Sequence, residues 1–311
     1  MMSHSYLFGP VPSRRLGRSL GVDLIPRKTC PFDCIYCEVG PTSNQTETRL
    51  DYEAEAIVAE LSAFLTGGAP ELDFITLAGS GEPTLNLALG SIIRRLKELT
   101  AIPVAVLTNG ALLHLPEVRR ELKYADLVLP SLDAAREQAF KNVNRPLPGY
   151  PLSRLLQGLE TFRREYPGPI WLEVLLLKGL NDSEEDLEAL RQALRTLAPD
   201  KVQLNTMVRP GRSGQAQPLS FEALAAIAST LEGEVEVIAS CRHPRQAAAA
   251  ADDATLVSML ARRPMTAADL AGVLGLPLPL VQRQLQRLKE AGQISCNYFH
   301  NEDFYQVPTP G

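Results

Sequence analysis

Apolar and polar positions along this chain repeat on two length scales. Short runs rich in aliphatic and β-branched residues, at Gly21 to Pro26, Asp73 to Ala78, Val104 to Thr108, Leu127 to Leu132, Ile170 to Leu177 and Val202 to Met207, read as strands buried on both faces. Between them lie longer amphipathic segments: Tyr52 to Leu65, Leu87 to Leu99, Pro116 to Tyr124, Arg136 to Val143, Leu152 to Glu165 and Glu184 to Leu197. Their apolar residues fall at helical spacing, as with Ile57, Leu61 and Phe64. A further helix, Phe221 to Leu231, and a short strand, Val235 to Ala239, end the series. Six successive βα units predict an α/β fold built on a parallel sheet, a partial (βα)6 TIM-like barrel, with its functional groups at the carboxyl ends of the strands.

The pattern changes at the alanine run Ala247 to Ala251, which is followed by Asp252 and Asp253 as candidate helix caps. This places a boundary between a barrel domain, residues 1–246, and a smaller unit, residues 247–311. In the smaller unit Leu256 to Arg262, Thr266 to Leu274 and Leu278 to Ala291 read as helices. Gln293 to Asn297 and Phe304 to Pro308 read as a hairpin. Three helices and a hairpin is winged-helix order.

Composition narrows the classes. With 45% hydrophobic and 22% charged residues in 311, the chain is neither disordered nor disulfide-dense, and 31 basic against 36 acidic residues give no overall basic field. No apolar run approaches the roughly 18 residues that span a bilayer, and Met1 to Arg15 lacks the apolar stretch of a secretion signal, so a cytoplasmic protein without membrane contact is expected. From Thr255 onward five basic residues face four acidic ones, a net of +1 that is weak for duplex DNA. Arg283, Arg287 and Lys289 nevertheless share the third, recognition-type helix, which leaves a nucleic-acid or protein contact open.

The chemistry concentrates in the cysteines. Three of the five, Cys30, Cys34 and Cys37, follow the first strand with C-x3-C-x2-C spacing. Three thiolates on one loop can hold three irons of a [4Fe–4S] cube and leave the fourth iron open. Structural zinc wants four closed ligands, usually as paired C-x2-C knuckles, and no second pair is present, although a zinc or purely structural loop is the competing reading. Further on, the strand ends carry small polar groups in fixed order: Gly79-Ser80-Gly81-Glu82, Thr108-Asn109-Gly110 and Ser131-Leu132-Asp133. Taken alone, Asn109-Gly110 also suits an ordinary turn and Asp133 a helix N-cap. Glu173, Lys178, Asn181 and Asn205 are further pocket candidates. Arg14, Arg15 and Arg145 are either anion-gripping forks or solvated surface arginines. Cys241 and Cys296 read as plain thiols.

In this order of motifs the chain resembles the radical S-adenosylmethionine (SAM) superfamily across roughly residues 7–210. The resemblance implies a [4Fe–4S] cluster on Cys30, Cys34 and Cys37, with the open iron chelated by the amino and carboxylate groups of SAM. Reductive cleavage of SAM would then give methionine and a 5′-deoxyadenosyl radical that abstracts hydrogen from a substrate. It further implies that Tyr36 lies beside the adenine and that Ser80, Gly81 and Glu82 receive the methionyl ammonium. Thr108, Asn109, Ser131 and Asp133 would lie near the ribose and carboxylate. An electron donor such as a flavodoxin or ferredoxin is implied; the substrate is left open between a macromolecule, RNA or a peptide among the candidates, and a small molecule. The run from Phe8 to Gly17 is most similar to a group of iron–sulfur oxidoreductases related to the tRNA wyosine-synthesis enzymes. Those enzymes carry additional cysteines for a second cluster, and Cys241 and Cys296 are too few to supply one. The competing function is an iron–sulfur redox sensor that binds nucleic acid through the winged helix.

Overall fold

A computed structural model describes residues 6–68, 71–211, 216–238 and 253–308. In chain order its elements are β1 (Leu7–Ser13), β2 (Gly17–Asp23), β3 (Thr29–Cys30), β4 (Asn44–Gln45), α1 (Ala54–Thr66), β5 (Phe74–Ala78), α2 (Leu89–Leu99), β6 (Val104–Thr108), α3 (Pro116–Leu122), β7 (Leu127–Pro130), α4 (Glu137–Val143) and α5 (Leu152–Glu165). These are followed by β8 (Trp171–Leu176), α6 (Glu184–Leu197), β9 (Lys201–Thr206), α7 (Phe221–Ala228), β10 (Val235–Val237), α8 (Asp253–Arg262), β11 (Met265–Thr266), α9 (Ala267–Leu274), α10 (Leu278–Glu290), β12 (Ser295–Phe299) and β13 (Glu302–Gln306).

The helices follow from local chemistry. α2 buries Leu89, Ile92, Ile93 and Leu96, one stripe at helical spacing. α6 starts at Ser183, whose hydroxyl accepts from the Asp186 amide, and places Glu184, Glu185 and Asp186 at its positive end. α9 opens on a reciprocal capping box between Thr266 and Asp269, and it closes on Gly275 in the left-handed conformation that a non-glycine residue adopts only with strain.

The strands run β1-β2-β5-β6-β7 in one ladder and β8-β9-β10 in another, all parallel except the β1–β2 pair. The two ladders meet at a seam. The amides of Val128 and Leu132 donate to the carbonyls of Pro169 and Glu173, at 3.3 and 2.9 Å. Pro130, midway between those donors, has no N–H to give, so the seam lacks its middle bond. Among the described residues the sheet stays open, with β1 and β10 at its edges. The main core lies between the sheet and its helices. A second core, Leu256, Leu260, Met265, Leu270, Leu274, Val281, Leu285, Leu288 and Ile294, belongs to the C-terminal unit.

Six βα units are present, but the first strand departs from expectation. The expected Gly21 to Pro26 segment is β2 displaced toward the N-terminus, and an antiparallel partner, β1, was not expected. Pro10 and Pro12 disguise β1, and an edge strand tolerates them because one side of it needs no donors. β7 stops at Pro130, and α7 ends at Ala228. In the C-terminal unit three helices and a hairpin occur as expected, with β11 added to the hairpin as a third strand. The 246/247 boundary, Ala239, the alanine run, Asp252 and Cys241 lie outside the described residues.

Candidate functional site

The loop carrying the three cysteines leaves β2 and is closed by the β3–β4 pair. The Ile35 amide bonds the Val143 carbonyl at 3.0 Å, and the Asp33 amide bonds the Asn144 carbonyl at 3.1 Å. Phe32 is fully buried edge-on between Phe140 and Tyr150, with ring centroids 5.4 Å away in each case. The three thiols are free and only partly buried. Each sulfur is met by one side-chain N–H donor: Asn109 Nδ2 at 3.2 Å from Cys30, Asn144 Nδ2 at 3.6 Å from Cys34, and Lys28 Nζ at 3.3 Å from Cys37. Burial pushes the Cys30 thiol up to about 12, with the Glu82 carboxylate adding to the shift, and burial likewise pushes the Cys34 thiol well up.

This donor set fits a cluster better than a lone ion. Among the described residues no group of three His, Cys, Asp or Glu is gathered closely enough to hold one metal ion. A cube needs its three thiolates spread over three different irons, with N–H donors turned toward the sulfurs to stabilise the reduced state.

The Gly79 to Glu82 segment is laced onto this loop. The Lys28 amide donates to the Ser80 carbonyl at 2.7 Å, and the Glu82 amide donates to the Thr29 carbonyl at 3.1 Å. Asp23, at the end of β2, accepts from the Ser80 amide at 3.1 Å and the Ser80 hydroxyl at 2.6 Å. The two loops approach so closely at Gly81 that a Cβ there would lie 2.2 Å from the Thr29 carbonyl oxygen, a backbone atom that cannot step aside. Gly81→Ala is therefore expected to part the two loops. Iron retained after anaerobic reconstitution should fall several-fold, and retention at the native level would show that the contact does not matter.

Glu82 is buried and accepts from the Thr84 amide (3.1 Å) and hydroxyl (2.6 Å), the Thr108 hydroxyl (2.6 Å) and the Asn109 amide (2.8 Å). Burial raises its pKa, and these donors oppose the rise.

A cavity of about 420 Å³, within the range of roughly 300–1,000 Å³ usual for small-molecule sites, brings the expected residues together. Cys30, Cys34, Cys37, Tyr36, Ser80, Gly81, Glu82, Thr108, Asn109 and Ser131 all line it, as do Arg14, Arg15, Glu173 and Asn205. Asp133 is turned away. Its carboxylate accepts from the Tyr36 hydroxyl (2.5 Å), Asn144 Nδ2 (2.6 Å) and the Leu175 amide (3.0 Å), and it thereby ties the cysteine loop to α4 and β8.

Asn181 is likewise internal, donating to the carbonyls of Asp133 and Leu175 at 2.7 and 2.8 Å. Lys178 and Arg145 line other, separate hollows. Lys28, Glu38, Asn144, Arg209 and Arg263 were not singled out for the site, although Lys28 and Glu38 flank the cysteine motif directly. Asn144 and Arg209 reach it from 110 and 171 positions along the chain, a distance at which local pattern carries no signal.

Comparison with known proteins places the chain in a family. The model of the radical SAM superfamily matches residues 24–191, and that of the bacterial regulatory protein arsR family matches residues 254–295. A UPF0026 protein of Helicobacter pylori is 32% identical over 304 residues, covering 96% of each chain. A protein named GTPase Obg in Brachyspira hyodysenteriae is 37% identical over 294 residues, 93% of this chain but 43% of its own length, so this chain spans less than half of that relative. The fold is similar to a radical SAM methyltransferase from Sphaerobacter thermophilus, with a TM-score of 0.54 at 21% identity over 70% of this chain and 66% of that one. With the superfamily model matching more than half its length, the chain belongs to the radical SAM superfamily of iron–sulfur enzymes, whose cofactors are a [4Fe–4S] cluster and SAM.

Proposed function

We propose that this chain cleaves SAM reductively and directs the resulting hydrogen abstraction at a substrate held in the 420 Å³ cavity. The observation that carries this reading is the meeting of three free thiols, each with its own N–H donor, and the Gly79 to Glu82 segment in one cavity. When bound, the cluster and SAM supply an electron and a carbon-centred radical.

The protein's own residues bind and orient. Cys30, Cys34 and Cys37 hold the cluster. Glu82 and Ser80 face the ammonium of SAM, and Thr108, Asn109 and Ser131 face its ribose and carboxylate. Tyr36 lies beside the adenine. Asp133 is a positioning residue that fixes the Tyr36 hydroxyl. An external donor such as a flavodoxin or ferredoxin provides the electron. The open array of six βα units is read as a partial barrel, with a winged-helix-like domain following it at the 246/247 boundary.

The arsR-family match favours a second reading, a redox sensor acting through the winged helix. Against it, Phe299, at the hairpin turn, packs on the cluster of Ile35, Leu175 and Met207 instead of projecting outward. The test is chromatography of the dithionite-reduced, reconstituted protein incubated with SAM. Formation of 5′-deoxyadenosine and methionine supports the enzyme reading, and SAM left intact by a fully loaded protein overturns it.

Lys28 offers a finer check. Its ammonium stabilises added negative charge at the Cys37 sulfur, so Lys28→Met is expected to lower the reduction potential of the loaded cluster. An EPR-monitored redox titration measures this, and an unchanged or raised potential would remove Lys28 from the role.

A further inference from the structure

The roof of the cavity comes from outside the sheet. Met259 and Arg262 of α8, Arg263 just beyond it and Met265 of β11 line the same cavity as the three cysteines. The unit is seated at two places. Arg262 lies over the Phe8 ring at 4.9 Å, approaches Asp23 at 3.5 Å and donates to the Leu7 carbonyl at 3.2 Å. Gly21 makes room for that ring, since a Cβ there would lie 2.0 Å from it. On the opposite side Phe299 packs against the cluster of Ile35, Leu175 and Met207.

Beneath this roof the charges do not balance. Arg15 is answered by Glu173, Arg262 by Asp23, and Arg209 by Glu38 at 3.3 Å and Asp269 at 3.7 Å. Arg14 has a neutral partner, the Asn205 side-chain oxygen at 3.3 Å. The Arg263 guanidinium has no hydrogen-bond or ion-pair partner among the described residues. Burial lowers the pKa of both Arg14 and Arg263 to about 10 and the neighbouring Arg209 pushes each the same way, while the Glu38 carboxylate near both, with Glu173 near Arg14 and Asp269 near Arg263, opposes the shift. Arg14 and Arg263, half-buried on the cavity wall, share Glu38 with Arg209 and have no carboxylate paired to either alone, so their free N–H groups are open to an anion that enters the cavity.

We propose that Arg14 and Arg263 form a phosphate site, so that the substrate set against the cysteine loop is a small phosphorylated molecule. The inference rests on the radical SAM reading and names the substrate class for it. A phosphate monoester carries about −1.5 to −2 charges at neutral pH and three acceptor oxygens, which matches two forks where a single carboxylate matches one. The C-terminal unit covers the cavity with Met259, Arg262, Arg263 and Met265, which favours a small molecule over a polymer.

The test is calorimetry on the cluster-loaded, SAM-bound protein, with inorganic phosphate, acetate and a single-stranded RNA oligonucleotide as probes. Phosphate is expected to bind at one site and more tightly than acetate. Arg14→Gln and Arg263→Gln, which stand on different elements, are each expected to weaken phosphate binding at least tenfold, and Arg263→Lys less than Arg263→Gln. Equal phosphate affinity in the wild type and both variants, no phosphate binding, acetate as strong as phosphate, or tighter binding of the oligonucleotide would each overturn the proposal. So would variants that lose SAM affinity in the same proportion, which would assign the arginines to the SAM carboxylate. The EPR response of the wild-type cluster to SAM is recorded alongside. If that response is present while phosphate fails to bind, the substrate class falls and the radical SAM reading stands; if it is absent, the reading itself falls.

Discussion

Cys34→Ala is expected to leave a folded protein that has lost nearly all of its iron and sulfide. Cys34 lies at the centre of the loop, its sulfur facing Asn144 and its carbonyl accepting from the Cys37 amide at 3.1 Å. Removing one of three thiolates leaves an iron of the cube without a protein ligand, whereas the packing lost is a single sulfur, worth about 1 kcal/mol. The large effect therefore falls on cofactor retention and the small one on stability. Cys296→Ala is the matched control, because Cys296 stands on β12 and takes no part in the cysteine loop. Iron and sulfide analysis after reconstitution, with the visible absorption of the cluster, reads both variants. Iron retained by Cys34→Ala, or lost equally by Cys296→Ala, would contradict the assignment.

Asp133→Asn is expected to have the next largest effect. The wild-type carboxylate takes three donors, from Tyr36, Asn144 and Leu175, and an amide in its place either turns its N–H at the fixed Leu175 amide or forces the Tyr36 hydroxyl and the Asn144 amide to reverse. A buried donor facing a donor costs about 1–3 kcal/mol, and the loss falls where α4, β8 and the cysteine loop meet. Chemical unfolding of the cluster-free protein should register it.

The same residue gives a pH signature. Burial raises the Asp133 carboxyl to about 6, while the donors around it hold it down. The native state thus takes up this proton at a higher pH than the unfolded chain does, so its contribution to stability is fully present at low pH and is lost as pH rises through about 6. Asparagine does not titrate. The stability gap between wild type and variant should therefore widen as pH falls from 6 toward 4, and a constant gap would show that Asp133 is not the group responsible.

Much of this site is legible in the sequence because its chemistry is local. Three cysteines within eight positions, and small polar residues closing successive apolar runs, are visible in the sequence, and the parallel sheet carries those strand ends to one edge. Helices α5 and α6 matched their expected limits because strong periodicity and, in α6, the Ser183 cap fix them locally.

What escaped was set by tertiary approach. β1 reads as a proline-bearing loop until β2 pairs with it. The resemblance places Asp133 at the ribose, and the residue does lie just beyond the end of β7. Its side chain, however, is captured by Tyr36 and Asn144, which the sequence does not place beside it. Arg263 gains meaning only because Arg262 and Phe299 seat its unit over the cavity.

The central claim is that three cysteines and the adjoining strand ends form one site for a cluster and SAM. The most direct test is EPR of the anaerobically reconstituted, reduced protein recorded with and without SAM, beside a variant in which Cys30, Cys34 and Cys37 are all alanine. The expected result is a reduced [4Fe–4S] signal that changes on adding SAM and is absent from the triple variant. A cluster signal indifferent to SAM, or zinc bound in place of iron, would contradict the account.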